Sequence, residues 1–293
     1  MIVRVPASSA NLGPGFDSFG IAWQLYDEIG FQIAEETVIS GCEERFCNEQ
    51  NLAFAAYRRV LERCGVRDAS GVAIRFGRTG IPVSRGLGSS AALIVAGVMA
   101  ANEHYELGLS REELFLLATE VEGHPDNVAA ALYGGLTVSA MDGGRALTRR
   151  FPVSDKLIFT ALVPPFELST ALARSVLPSA VTREDAIFNV SRGALLLRAL
   201  GEGDGELLAF AMDDRIHQPF RSRLIDGFRT ARIEAQECGV RGMCISGAGS
   251  TLLCVSDRPD FADRMETSLE MALPGWELHV LTPDLSGAMI AAM

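Results

Sequence analysis

The chain has little that would take it to a membrane, a nucleic acid or an oxidising compartment. No apolar run reaches the roughly 20 residues of a bilayer-spanning helix, and Met1-Ile2-Val3-Arg4-Val5-Pro6 has no long apolar core of a signal peptide. A cytoplasmic protein with no membrane partner is expected. Basic residues are in deficit: 26 Lys and Arg against 37 Asp and Glu give a net charge of −11. That balance disfavours a general nucleic-acid or acidic-membrane surface, so any phosphate site must be a local positive spot. Cys42, Cys47, Cys64, Cys238, Cys244 and Cys254 show no C-x-x-C spacing, and the four histidines are scattered. Free thiols are expected in place of a zinc site or disulfide framework. No repeat or low-complexity tract is visible.

What is present describes an ordinary globular chain: 293 residues, 48 % apolar and 22 % charged, enough for two modest units with real cores. Strand patterns at Ile2–Val5, Phe19–Leu25, Glu28–Ala34 and Val72–Phe76 enclose one helix, about Asn51–Cys64. Ser110-Arg111-Glu112-Glu113 predicts a capping box opening another helix. A short helix at Asp126–Leu132, a strand at Leu136–Ala140 and a turn at Met141–Arg145 lead to a boundary near residue 152. Units of 1–152 and 153–293 are therefore expected. Strands in the second unit are predicted at Leu157–Val163, Met243–Ile245, Thr251–Val255 and Trp276–Leu281. Helices are predicted at Arg183–Leu200, Glu206–Asp214, Leu224–Cys238 and Asp260–Leu273. Strands and helices mixed without strict alternation imply an α+β fold.

The most informative segment is Ile81-Pro82-Val83-Ser84-Arg85-Gly86-Leu87-Gly88-Ser89-Ser90-Ala91-Ala92, a glycine loop running into an apolar helix. Its glycines permit a tight turn that gathers N–H groups, and the helix start adds unpaired N–H groups and a positive dipole end. Phosphate binding is the reading, with the serine hydroxyls available to magnesium. A dinucleotide fingerprint is the competing pattern, but the acidic residue about 20 positions on, Glu106, follows helix-like sequence. A Walker loop is excluded because no Gly-Lys-Ser/Thr occurs.

Four other segments are dense in small and polar residues. Pro6–Asp17 reads as a long loop whose Asn11 and Asp17 are candidate substrate contacts. Glu122-Gly123-His124-Pro125-Asp126-Asn127 sits between helices; Glu122 is a candidate magnesium ligand, while capping explains Asp126 or Asn127 equally well. Thr170 and Arg174 stand one helical turn apart, and Ile245–Thr251 is a second glycine loop suited to close approach to a ligand or to the first loop. Arg221 is a carboxylate clamp or a surface arginine.

In this order the segments resemble the GHMP kinase superfamily over nearly the whole chain. Pro82–Ala92 is similar to its phosphate loop, and Ser246–Thr251 to its third motif, with Ser250 where proline is usual. Val5–Asp17, His124–Ala129, Leu168–Thr170 with Arg174, and His217–Arg221 look most like the homoserine kinase branch. One departure is a shorter spacing between Glu122-Gly123 and His124 than many members have.

The resemblance implies an N-terminal unit like the second domain of ribosomal protein S5 and a ferredoxin-like C-terminal unit. It implies transfer of the γ-phosphoryl of ATP to the side-chain hydroxyl of L-homoserine, in threonine biosynthesis. Pro82, Arg85, Gly86, Leu87, Gly88, Ser89, Ser90, Ala91 and Ala92 would surround the nucleotide, with Gly247 and Gly249 opposite and Asn51 near the adenine. Ser90 and Glu122 would hold magnesium. Asn11, Asp17, His124, Asn127, Thr170, Arg174 and Arg221 would surround the amino acid, and a homodimer is implied. Relatives such as mevalonate kinase carry an aspartate where Asn127 stands. Asn127 is therefore expected to orient the hydroxyl without acting as a base, His124 being the rival base. The alternatives are a kinase for shikimate or mevalonate, or a nucleotide-binding protein without catalysis.

Overall fold

In the first sheet, β1 (Ile2–Ala10) and β2 (Phe19–Ala34) pair antiparallel. The structure, a computed structural model, describes residues 1–291. Pro6 has no N–H to give the ladder, and the register shifts there: Pro6 faces Tyr26 but Ala7 faces Trp23. The strand then continues to Ala10, although Pro6–Asp17 reads as a loop. Ala7, Ser8, Ser9 and Ala10 are all buried, so a stretch covered on both faces shows no period-2 pattern. Likewise the two strands expected over 19–34 are one, because the shift at Asp27 to Ile29 bends β2 without ending it.

β3 (Val38–Ser40), β4 (Gly71–Thr79), β5 (Leu136–Asp142) and β6 (Arg145–Phe151) extend this sheet. Against it pack α1 (Leu52–Arg63), α2 (Ser89–His104), α3 (Arg111–Glu122) and α4 (Asp126–Tyr133). Every residue of α2 from Ile94 to Ala101 is buried, which suits its alanine-rich sequence. The capping box at Ser110 forms in both directions.

The second sheet contains β7 (Ile158–Val163), β8 (Gly242–Ile245), β9 (Leu252–Ser256) and β10 (Glu277–Leu281), antiparallel in the order β10-β7-β9-β8. With α5 (Thr170–Ser175), α6 (Arg183–Glu202), α7 (Gly205–Ala211), α8 (Gln218–Arg221) and α9 (Phe228–Cys238) between β7 and β8, and α10 (Phe261–Ala272) before β10, this is the ferredoxin-like order. The helix expected to Asp214 stops at Ala211. Asp214 instead accepts N–H bonds from Ile216, His217 and Gln218 and so begins the next turn. The helix expected from Leu224 begins at Phe228, after Gly227 at φ 85°.

A final strand, β11 (Met289–Ala291), pairs with β1, and Asp284 N–H donates to the Ala22 carbonyl. The end of the chain therefore returns to the first sheet. Three residues are too few to display a period.

Candidate functional site

The two glycine loops meet face to face. Gly86 and Gly88 adopt φ of 79° and 75°, in the left-handed region that favours glycine. A Cβ on Gly86 would stand 2.2 Å from the Ser246 carbonyl oxygen, and one on Gly88 2.0 Å from Ser8 Oγ. Ser246 Oγ donates to the Gly86 carbonyl at 2.5 Å, and the Thr251 N–H donates to that of Arg85 at 3.0 Å. Gly88 opens α2 without a side-chain cap, leaving first-turn N–H groups for an anion. The single lysine, Lys156, lies outside this cleft, so backbone N–H groups supply much of the local positive potential.

Beside the helix start, Ser90 Oγ donates to Glu122 Oε2 at 2.6 Å. Burial raises the Glu122 pKa, against the Ser90 bond and the His124 charge. His124 Nδ1 is 2.7 Å from Asp126 Oδ1, and its Nε2 is 3.9 Å from Glu122 Oε1. Burial lowers the His124 pKa, but the Asp126 hydrogen bond and the charges of Asp126 and Glu122 outweigh it, and the net shift is upward. Neither Asp126 nor Asn127 caps α4: Pro125 holds that position, and Asp126 accepts from His124 and from the Asn127 N–H at 2.7 Å.

Asn11, at φ 71°, donates through Nδ2 to the Gly247 carbonyl at 2.7 Å and accepts the Asp17 N–H at 2.9 Å. Asp17 takes both guanidinium arms of Arg174, at 2.7 and 3.1 Å. Arg221 is 1 % exposed and donates to the Ala173 and Gly247 carbonyls, each at 3.1 Å. Desolvation and the neighbouring Arg174 charge lower its pKa to about 10, so it stays a cation at neutral pH. Phe16 lies near both guanidiniums, 5.8 Å from Arg174 and 5.1 Å from Arg221, with His217 stacked on it. Asn127 Oδ1 accepts from Ser8 Oγ at 2.9 Å, which turns its Nδ2 donor toward the cleft.

These groups border one cleft of about 430 Å³. It brings together Asn11, Asp17, Ser89, Ser90, Glu122, His124, Asn127, Thr170, Arg174, Arg221 and the glycines of both loops. Pro82, Arg85, Leu87, Ala91 and Ala92 do not border it: Arg85 donates through Nε to the Phe166 carbonyl, and Leu87, Ala91 and Ala92 are buried. Asn51 borders it while serving as the N-cap of α1 and donating to the Phe46 carbonyl. Asp17, His124 and Asp126 have ligand atoms within 4.8 Å of one another, but each already has a protein partner.

The far end of the cleft was not legible in the sequence. There Phe46, Leu52, Phe76, Ile81 and Val83 form an apolar lining, with Asp27 at its edge. Single apolar residues on separate elements carry no motif, whereas Ser8 and Phe16 at least sat within a dense polar segment.

Comparison with known proteins agrees with this geometry. The GHMP kinases N terminal domain matches residues 51–135, and the GHMP kinases C terminal domain matches 196–272. The homoserine kinase of Clostridium botulinum (strain Langeland) is 40 % identical over 291 residues, covering 98 % of this chain and 97 % of its own. That of Clostridium acetobutylicum is 40 % identical over 293 residues, covering 98 % and 99 %. The crystal structure of the Cytophaga hutchinsonii homoserine kinase superposes with a TM-score of 0.86 at 28 % identity, over 99 % of this chain and 96 % of that one. The L. major mevalonate kinase, at 18 % identity and a TM-score of 0.74 over 97 % and 96 %, shares the fold. With both domain models matched and such identity over nearly its whole length, the chain belongs to the homoserine kinase family of the GHMP kinases.

Proposed function

We propose that the protein phosphorylates the side-chain hydroxyl of L-homoserine with ATP. The observation that carries this reading is that a charged cluster, Asp17 with Arg174 and Arg221, lines the same cleft as the Ser90–Glu122 pair and the glycine loop. Asp17 meets an α-ammonium, and the arginines fork onto an α-carboxylate. Substrate binding then exchanges part of the Asp17–Arg174 pairing for bonds to the zwitterion.

Ser90 and Glu122 fit magnesium: a hydroxyl and a buried carboxylate, with His124 Nε2 3.9 Å away, form an all-oxygen donor set. The ion would supply charge neutralisation on the transferred phosphoryl. Asn127, held by Ser8, fixes the hydroxyl oxygen in line with the γ-phosphorus. The oxygen–phosphorus bond forms as the bond to the ADP oxygen breaks, and the hydroxyl proton passes late to phosphate or water. The neighbours of His124 favour its cation, which leaves less of the neutral ring that a general base needs. Asn127→Ala should cut turnover about a hundredfold in a single-turnover assay; an unaffected turnover number would remove its role.

ADP release measured with homoserine, shikimate and mevalonate tests the function, with homoserine expected to be strongly preferred. Failure with every alcohol despite ATP binding favours a non-catalytic protein. No helix among the described residues is long and apolar enough to cross a membrane, which is compatible with a cytoplasmic biosynthetic enzyme. The homodimer rests on family likeness alone, and sedimentation velocity tests it.

A further inference from the structure

Asp27 is a carboxylate only 4 % exposed, at the apolar end of the cleft. Its Oδ1 accepts the N–H of Gly80 at 2.9 Å and of Ile81 at 3.1 Å, so it ties the residues just before the glycine loop to β2. Its Oδ2 has no hydrogen-bond partner among the described residues, and the residue borders the cleft beside Thr79 and Ile81. Burial raises the Asp27 pKa, opposed by those two N–H groups and by no cation. Oδ2 is thus the carboxylate oxygen left open to the cleft, where a donor on a bound ligand can reach it.

The surrounding Phe46, Phe76, Ile81 and Val83 suit a flat, largely apolar ring. Asp27 and the Gly86–Ser90 loop border the same cleft, so a nucleotide with its phosphates on that loop can lay its nucleoside toward Asp27. We propose that Asp27 Oδ2 accepts a hydrogen bond from a donor of that nucleoside, the exocyclic amine of the base or a ribose hydroxyl, and so selects the nucleotide. The inference rests on the kinase reading above.

Asp27→Asn is a discriminating substitution. The Gly80 and Ile81 N–H groups require the amide oxygen on their side, which turns the NH2 toward the cleft and replaces an acceptor by a donor. Calorimetry on the whole chain would compare ATP, purine riboside triphosphate, 2′-deoxy-ATP and 3′-deoxy-ATP, first with the wild type. One analogue should bind about tenfold more weakly than ATP, the loss of a hydrogen bond to a charged group. Loss with the riboside identifies the amine, and loss with a deoxynucleotide identifies that hydroxyl. In Asp27→Asn the difference should vanish, and if the amine is the donor, ITP should gain relative to ATP. Equal binding of all four by the wild type, or an unchanged ranking in the variant, overturns the proposal. The wild-type series decides even if the variant fails to fold. Failure of the kinase reading looks different: ATP itself does not bind, or no alcohol is phosphorylated.

Discussion

At one end of the cleft nearly every polar group already has a protein partner: Asp17 with Arg174, His124 with Asp126, Ser90 with Glu122, Ser8 with Asn127. At the other end, apolar side chains from separate elements line the cleft together with a few polar ones, among them Asp27, Asn51 and Thr79. The difference fits the role proposed for each end. Charged groups gathered in a partly desolvated space need one another to remain ionised and aligned before substrate arrives. A planar base needs only a fitted apolar gap and a few directional bonds.

The sharpest way to break this contrast is at Glu122. Glu122→Gln keeps the Ser90 bond but removes the buried charge, and turnover should fall about a hundredfold or more. Stability should move the other way. A carboxylate whose folded pKa is raised stabilises the fold only when protonated, and that contribution is lost as pH rises through the folded value. At neutral pH its charge is therefore a cost, and the variant's thermal midpoint should rise by about 2 °C. The gain should shrink toward acidic pH; a lower midpoint at neutral pH contradicts the burial argument.

Next in size is Arg174→Ala, which should raise the KM for homoserine by roughly 10- to 100-fold, the worth of charge-assisted hydrogen bonds. The KM for ATP should hardly change, since Arg174 lies on the charged side. Equal effects on both constants would dissolve the distinction between the two ends.

A smaller effect belongs to His124. Its raised folded pKa means that its pairing with Asp126 stabilises the fold fully below the unfolded value, about 6.5, and progressively less as pH rises through the folded one. Subtracting the thermal midpoints of His124→Gln from those of the wild type at several pH values should give a difference that fades toward alkaline pH. A difference that grows with pH would reverse the assignment.

The smallest change is expected at Phe46. Replacing its ring with leucine keeps most of the apolar surface but loses aromatic contact, so the KM for ATP should rise about fivefold while that for homoserine stays put.

The charged end was readable in the sequence because its chemistry needs rare residue types in dense runs. Asn11 and Asp17 lie six positions apart, and both adopt left-handed backbone angles among glycines. The apolar end was hidden for the opposite reason, since Phe46, Phe76 and Val83 look like any core residues. Asn51 marks the border: a candidate adenine contact, it lines the cleft while its side chain caps α1 and donates to the Phe46 carbonyl. Arg85, expected around the nucleotide, donates through Nε to the Phe166 carbonyl.

By itself the sequence determined the local devices: the glycine loop before α2, the capping box at Ser110, the alternation that makes the strands, and the residue types of the charged pocket. Each depends on neighbours within a few positions, where backbone angles and side-chain reach are set. Tertiary structure alone decided that Asn11 and Arg221 share the Gly247 carbonyl, that β11 returns to β1, and that Asp27 faces the cleft. Those outcomes depend on segments far apart in the chain brought together by burial, and burial leaves no periodic trace at a single residue.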